Sequence, residues 1–227
     1  CRAPGGSRAR QGEEAVGVTA NTNGTDGAAS TPRQRILEAA VDLFHREGYY
    51  ATSLRQLADA VGLQVGSLYN HIDSKEALLG DIMRTVLVEL IEETEREMAA
   101  AGERPVARVR AFLRTSIRFH AERRKETFIG NTELRGLDDA NRREIVALRD
   151  RYELMLREAL EAGVTAGELE IPDVQLATLA ALAICTNVAV WYRPDGRLSL
   201  EEVQELLPRT FGPLCPVLPP LTATNER

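Results

Sequence analysis

The chain has 227 residues, with 34 acidic and 28 basic side chains and a formal net charge of -6. A chain of this length buries roughly 70% of its unfolded surface, so it needs no disulfide or metal to fold. The three cysteines are scattered and lack the paired spacing of a zinc site or a disulfide scaffold. We therefore expect a reducing, cytoplasmic setting, and the negative charge excludes a polycation that coats nucleic acid.

Both ends of the chain are predicted to lie outside the fold. Residues 1–30 hold six glycines and no apolar periodicity, which predicts a disordered arm. Two roles stay open for this arm: a solvated tail, or a segment that reaches DNA phosphates or a minor groove through its arginines. Five of the ten prolines fall within 208–220, so residues 213–227 are predicted to form an irregular tail.

Apolar residues recur at helical spacing through the rest of the chain, and no window alternates strictly, as a half-buried strand would. The predicted helices cover 33–47, 53–61, a short segment near Val65, 75–100, 105–121, 125–136, 139–162, 173–192 and 199–211. Gly48 and Gly163 are predicted to end the helices before them. The fold class is therefore all-α, with an N-terminal unit at 31–78 and a larger helical unit at 79–212.

The segment 52–71 carries the strongest functional signal. A short helix opens at Ser53, and Gln56 stands three residues later, as in a capping box. This helix stops near Gly62, and a second short helix follows near Val65. Two helices joined by a three- or four-residue turn that contains glycine form a helix-turn-helix.

The second of these helices is unlike an ordinary surface helix. Its outward positions carry uncharged hydrogen-bonding side chains, which suit base edges and phosphate oxygens: Gln64, Ser67, Tyr69, Asn70 and His71. Gly66 has no side chain, so the backbone there can approach a phosphate closely. Lys75, in the first turn of the next helix, is predicted to bind a phosphate together with the N–H groups of that turn. The alternative is a plain helical hairpin within a core.

Further residues extend this pattern in both directions: Arg33 to Ala40, Leu43-Phe44, Gly48-Tyr49, Thr52 to Ala58, Gly62, Ser67 to His71 and Ser74 to Leu78. Together they resemble the DNA-binding domain of the TetR family of transcriptional regulators. The resemblance implies an all-helical homodimer whose first three helices bind double-stranded operator DNA and whose C-terminal domain holds a small-molecule effector. It implies phosphate contacts from Thr52 or Ser53, Tyr69, Asn70 or His71, and Lys75, and base contacts from Arg55, Gln64, Val65 and Ser67.

Two positions depart from the pattern of the family. Gln64 stands where the family commonly has a serine that caps the recognition helix, so that cap is predicted to be weaker or supplied otherwise. Ile72 replaces a usual phenylalanine, which is interpreted as a substitution in the core.

An arginine stripe, Arg110, Arg114 and Arg118, runs along the 105–121 helix. It is either a solvated face paired with glutamates of the preceding helix or a seat for an anionic ligand such as a phosphate-bearing thioester. The run from Trp191 to Gly196 is similar to a branch of the family whose members often sense acyl-coenzyme A thioesters. The candidate effector pocket, whose members could equally be core or satisfied polar residues, is Phe112, Ser116, His120, Phe128, Asn131, Tyr152, Met155 and Asn187.

Residues 174–192 contain no charge over 19 positions, which approaches the length of a membrane span. The preferred interpretation is a helix buried on all sides, between a ligand cavity and a dimer partner. With the 199–211 helix it would form a four-helix dimer interface, as the family suggests, and no membrane association is expected.

These patterns predict a ligand-responsive transcriptional regulator, in this family most often a repressor that an effector releases from its operator. The long 75–100 helix is expected to transmit the effect of the effector to the DNA-binding site. The alternative is a helical small-molecule or protein-interaction dimer without DNA binding. An enzyme is not expected, because the sequence lacks the zinc-protease, phosphate-loop and serine-hydrolase motifs, and neither a cofactor nor a metal site is predicted.

Overall fold

The computed structural model describes residues 31–211, and every regular element in that range is a helix, without a β-strand. The predictions for the N-terminal arm and the C-terminal tail lie outside the described residues. The helices are α1 (Pro32–Glu47), α2 (Leu54–Ala60), α3 (Val65–Leu68), α4 (Lys75–Ala100), α5 (Pro105–Glu122), α6 (Arg124–Thr132), α7 (Asp139–Thr165), α8 (Val174–Trp191) and α9 (Leu200–Phe211), with a short 3-10 turn at Leu134–Gly136. The predicted all-α class is confirmed.

The first two helices begin with capping boxes. At α1 the Thr31 hydroxyl accepts the Gln34 N–H at 3.2 Å, and the Gln34 side chain accepts the Thr31 N–H at 2.7 Å. Ser53 and Gln56 repeat this arrangement at α2, as predicted. Gln64 makes no side-chain cap at α3, so the predicted weak start of that helix is also found. Each capping bond satisfies a donor that the helix itself leaves open.

The end of α7 differs from the prediction. The helix continues through Gly163 to Thr165, and Gly167, with a φ of 70°, supplies the left-handed turn after it. Gly163 is a glycine for another reason: a Cβ there would lie 2.5 Å from Cδ1 of Leu169. The chain folds back across this position, and the sequence pattern alone could not separate close packing from a helix stop.

Two apolar cores share the long helix α4. The first core joins α1, α2 and α3 to the N-terminal half of α4, through residues such as Leu79 and Met83. The second core joins the C-terminal half of α4, including Leu90 and Ile91, to α5, α7, α8 and α9. Because one continuous helix contributes to both cores, a change of packing in one core is felt by the other.

In the single chain helix α8 is buried on one side, and the side on which a dimer partner was predicted to pack is open. Its open side presents Leu176 and Val190, 65% and 55% exposed, together with Leu179 and Trp191. Of the helices within residues 31–211, only α8 has the length and apolar composition of a membrane span. The core helices of soluble proteins can have the same length and composition. The other side of α8 packs into the second core through Cys185 and neighbouring residues.

The short helix α6 connects α1 to α8. On one side the Lys125 ammonium lies 2.6 Å from the Asp42 carboxylate, and the Phe128 ring meets the His45 ring edge-on at 5.3 Å. On the other side the Arg124 guanidinium donates to the Ala189 carbonyl at 3.2 Å, near the end of α8. This second connection between the N-terminal helices and the C-terminal ones was not anticipated from the sequence.

Candidate functional site

Helices α2 and α3 form the predicted helix-turn-helix. Leu57 of α2 and Leu68 of α3 are buried in the first core, so α2 is held against α1 and α3 against α2. Between them Gly62 adopts a φ of 69°, a conformation that favours glycine, and the Leu63 N–H donates to the Ala58 carbonyl at 2.9 Å. The packing fixes which side of α3 faces outward.

The polar residues that the sequence singled out lie on the outward side of α3, at its N-cap and in the turn that follows it. Gln64, Tyr69 and Asn70 are exposed, with Tyr69 at 54%, and Ser67 and His71 are half-buried. Val65 is half-buried as well. Gly66 is exposed, and a Cβ added there would meet nothing within 4 Å, so its backbone lies open. Ile72 is buried in the first core, as the interpretation of a core substitution requires.

Helix α2 presents two of its predicted contact residues to solvent. Ser53 is exposed at the N-cap of the helix, and Arg55 is exposed in its first turn. Thr52 corrects the prediction: it is only 2% exposed, and its hydroxyl donates to the Gly48 carbonyl at 2.9 Å. That hydroxyl has no proton left to offer a phosphate. Ser53 is the exposed member of the pair, and its hydroxyl donates to the Gln56 side-chain oxygen at 2.8 Å, so it must leave that oxygen to donate to a phosphate.

The Lys75 ammonium is bound by groups of the protein itself. It donates to the Tyr49 carbonyl at 3.0 Å and to the Thr52 carbonyl at 2.9 Å, and it lies 4.3 Å from the centre of the Tyr49 ring. At most one of its three protons is left for a phosphate. Burial and the adjacent Glu76 carboxylate raise the pKa of the Tyr49 hydroxyl to about 12. Lys75 thus fixes the start of α4 against the turn before α2.

Four of the predicted pocket residues meet inside the second core. Phe112, Ser116, His120 and Tyr152 are all buried, and the Phe112 and Tyr152 rings stack with centres 4.6 Å apart. The His120 Nδ1–H donates to the Ser116 carbonyl at 2.8 Å. Burial lowers the pKa of His120 to about 4, so the imidazole is neutral at neutral pH.

Three of the other four predicted pocket residues lie elsewhere, which corrects that part of the prediction, and the fourth, Met155, lies at the edge of the second core. Phe128 packs on His45 of α1, and Asn131 is exposed at the end of α6. Asn187 is exposed on the open side of α8. Met155 is half-buried at the edge of the second core, where it also lines a surface groove of about 410 Å³ together with Met98 and several charged residues. The pattern identified these residues by type, whereas the rotation of each helix decides where they point.

Sequence reasoning missed two residues of the second core, Thr94 of α4 and Cys185 of α8. The hydroxyls of Thr94, Ser116 and Tyr152 are buried and have no hydrogen-bond partner among the described residues. Burial raises the pKa of the Tyr152 hydroxyl above its ordinary value and raises that of the Cys185 thiol to about 12. The signal for Thr94 was present, because this polar residue continues the apolar stripe that contains Leu90 and Ile91.

The arginine stripe of α5 supports the solvated-face interpretation where its partners are seen. Arg118 pairs with Glu93 of α4 and also approaches Glu122 of its own helix at 4.0 Å. Arg114 is exposed and Arg110 is half-buried. An ion pair already neutralises Arg118, so this residue is poorly suited to an anionic ligand.

An exposed polar recognition helix, held by a small core and joined through a long helix to a second core, defines the class of helix-turn-helix DNA-binding regulators. The family models agree. Residues 36–82 match the model of bacterial regulatory proteins of the tetR family, and residues 102–211 match the tetracyclin repressor-like C-terminal domain. The chain belongs to the TetR family of transcriptional regulators.

Similar proteins support this assignment over most of their length. The HTH-type transcriptional repressor KstR2 of Rhodococcus jostii (strain RHA1) is 34% identical over 187 residues, which cover 81% of this chain and 88% of the relative. The TetR-family regulator PfmR of Thermus thermophilus superposes with a TM-score of 0.71 at 35% identity, covering 83% of this chain and all of that one. AibR, solved in complex with isovaleryl coenzyme A and operator DNA, has a TM-score of 0.71 at 29% identity, covering 78% and 96% of the two chains.

Proposed function

We propose that the protein is a transcriptional repressor that binds operator DNA through α2 and α3 and leaves it when a small-molecule effector enters the second core. The observation that carries this proposal is the exposed polar side of α3, fixed by burial of Leu68. The relative named a repressor supports the sign of regulation, and AibR in complex with operator DNA supports the mode of binding. The role is regulatory rather than catalytic, and a cytoplasmic location follows from access to the chromosome.

The DNA contacts divide by the chemistry of the exposed groups. Arg55, Gln64 and Ser67 can donate to or accept from base edges in a major groove, with Val65 for apolar contact. Phosphate oxygens fit the remaining groups: Ser53, the open backbone of Gly66, Tyr69, Asn70, His71 and, with its one remaining proton, Lys75. Phosphate contacts set the register of the helix, and the base contacts supply sequence preference.

The proposed repressor is a homodimer. The open apolar side of α8, with Leu176, Leu179 and Val190, together with Leu206 of α9, is a surface that a single chain leaves in water. A second copy packed on this surface would bury it in a four-helix interface. Two copies of α3 would then meet successive major grooves on one face of the duplex.

An acyl thioester is the effector class that the solved relative supports, because AibR was crystallised with isovaleryl coenzyme A. In this chain the second core is the candidate site, through Phe112, Ser116, His120 and Tyr152. The thioester end suits an uncharged core, and a nucleotide end would have to lie outside it.

A gel-shift experiment on the DNA upstream of the protein's own gene tests the proposed function. We expect the wild-type protein to retard this DNA, and Tyr69→Ala and Arg55→Ala to weaken the binding about tenfold each, because each removes one contact to the duplex. Arg96→Ala is the matched control: it removes the same charge from an exposed position on the far half of α4 and should bind as the wild type does. Absence of retardation at low salt would favour the helical binding module without a DNA role.

A further inference from the structure

Four helices each place one polar side chain at the same spot in the second core. These are Thr94 of α4, Ser116 of α5, Tyr152 of α7 and Cys185 of α8, here called the polar quartet. All four are buried, and the hydroxyls of Ser116 and Thr94 lie beside that of Tyr152. Most other buried residues of these four helices are apolar, and the polar exceptions are Thr115, His120 and Thr178. A convergence of polar groups from four separate helices is not a by-product of one helix's pattern.

The hydroxyls of the quartet lack hydrogen-bond partners in an environment where that is costly. Leaving a buried polar group unpaired opposes folding by about 1–3 kcal/mol. A buried threonine in a helix can avoid this by donating to the carbonyl four residues earlier, as Thr178 does to Val174 at 2.8 Å. Thr94, Ser116 and Tyr152 make no such bond, and although Thr94 and Ser116 lie within reach of the Tyr152 hydroxyl, none of the contacts among them has the geometry of a full hydrogen bond. Hydroxyls that pair only imperfectly with one another leave donors and acceptors for a bound molecule.

The quartet also defines what that molecule can be. No member carries a charge at neutral pH, because burial raises the pKa of both Tyr152 and Cys185, and the nearby His120 is held neutral. An ionised ligand group would have no counter-charge there and would lose its hydration. The stacked Phe112 and Tyr152 rings beside the quartet offer contact to an apolar body.

We propose that the polar quartet binds an uncharged hydrogen-bonding group of the effector, a carbonyl or hydroxyl carried on an apolar body. This proposal rests on the proposed function in that it treats the second core as the effector site, and it deepens that function by naming the group recognised. Ala177 of α8 is buried in this core and Ala181 packs against it. Because a protein core is close-packed, a ligand enters only if an element moves, and α8 meets the core here through small side chains. Entry of the ligand would move α8 away from α5 and α7.

The test uses three compounds of similar shape, acetophenone, ethylbenzene and benzoate, titrated into the full chain in the absence of DNA. Acetophenone carries the carbonyl, ethylbenzene lacks it, and benzoate adds a charge. In the wild type we expect acetophenone to bind saturably and benzoate at least tenfold more weakly. In Thr94→Val and Tyr152→Phe the ratio of the ketone to the hydrocarbon dissociation constant should rise about tenfold, as expected for a lost hydrogen bond. Thr178→Val, the same change at a buried threonine whose hydroxyl is already paired, should leave the ratio unchanged.

Thermal unfolding of the ligand-free variants gives a second readout. Removal of an unpaired buried hydroxyl should leave the melting temperature unchanged or raise it, whereas Thr178→Val should lower it. The proposal is overturned if acetophenone does not bind, if benzoate binds as tightly, or if the ratio is the same in all variants. A melting temperature that falls in Thr94→Val as it does in Thr178→Val would also overturn it, because the hydroxyl would then be satisfied by trapped water. None of these measurements depends on DNA binding. Failure of the ligand-binding proposal can therefore be distinguished from failure of the proposed DNA-binding function.

Discussion

The buried imidazole of His120 makes stability depend on pH. Burial lowers its pKa to about 4 in the folded protein from about 6.5 in the unfolded chain, so between these values the unfolded chain binds more protons. The stability that comes from a neutral His120 is therefore complete above pH 6.5 and is lost as the pH falls towards 4. This group alone should lower the free energy of unfolding by about 2 kcal/mol between pH 7 and pH 5.

Denaturant unfolding at several pH values checks this prediction, with His120→Gln as the comparison because glutamine cannot take up the proton. The variant should lose markedly less stability than the wild type over the same range. Carboxylates whose pKa is lowered, such as Glu144 beside Arg84, add their own loss below their ordinary pKa and should do so equally in both proteins. Parallel curves for the two proteins down to pH 5 would contradict the role assigned to His120.

Single residues were predictable where their exposure follows from helical period alone. The outward side of α3 is of this kind, because Leu68 and Ile72 fix the inward side. The burial of Thr52 was not predictable, because the turn after Gly48 brings the carbonyl that accepts the proton of its hydroxyl. Thr94 and Cys185 were missed for a related reason: which polar groups meet in a core depends on the rotation of every helix around it.

At the scale of elements, α6 should hold α1 mainly through the aromatic contact of Phe128 with His45. Phe128→Ala should lower the free energy of unfolding by about 2 kcal/mol, because it removes a packed ring. Lys125→Ala, which breaks the ion pair with Asp42, should cost less than about 0.5 kcal/mol, since both partners of this pair are more than half exposed.

Denaturant unfolding gives the two free energies, and amide hydrogen exchange of α1 shows where the change is felt. Faster exchange in α1 is expected for Phe128→Ala and unchanged exchange for Lys125→Ala. Equal losses in the two variants would mean that α6 is held to α1 by charge rather than by packing.

Helix boundaries were predicted within a few residues where period and end signals agree, as at the capping boxes of α1 and α2. The exception at Gly163 shows the limit, because glycine serves both helix ends and close contacts, and only the returning chain at Leu169 decides between them. The contacts of α6 with α1 and α8 could not be predicted, because all three join residues that are far apart in the chain.

At the scale of the whole molecule, the open side of α8 predicts that assembly can be disrupted by one charge. Leu179→Glu should yield a monomer in sedimentation experiments and weaken operator binding by more than tenfold, because half of the DNA contacts are lost. Leu154→Glu, at an exposed leucine on α7, is the matched control and should keep the mass and the affinity of the wild type. The same mass for both variants would place the dimer interface elsewhere.

The continuity of α4 has a consequence for how far a small rearrangement travels. Its 26 residues span about 39 Å at 1.5 Å per residue, from Lys75 beside the recognition elements to the turns that flank Thr94. A tilt of about 5° about the far end moves the Lys75 end by about 3 Å, which is close to the spacing of about 3.4 Å between neighbouring base pairs. An angular adjustment too slight to break any helix is therefore enough to misalign two recognition helices by one step of the duplex.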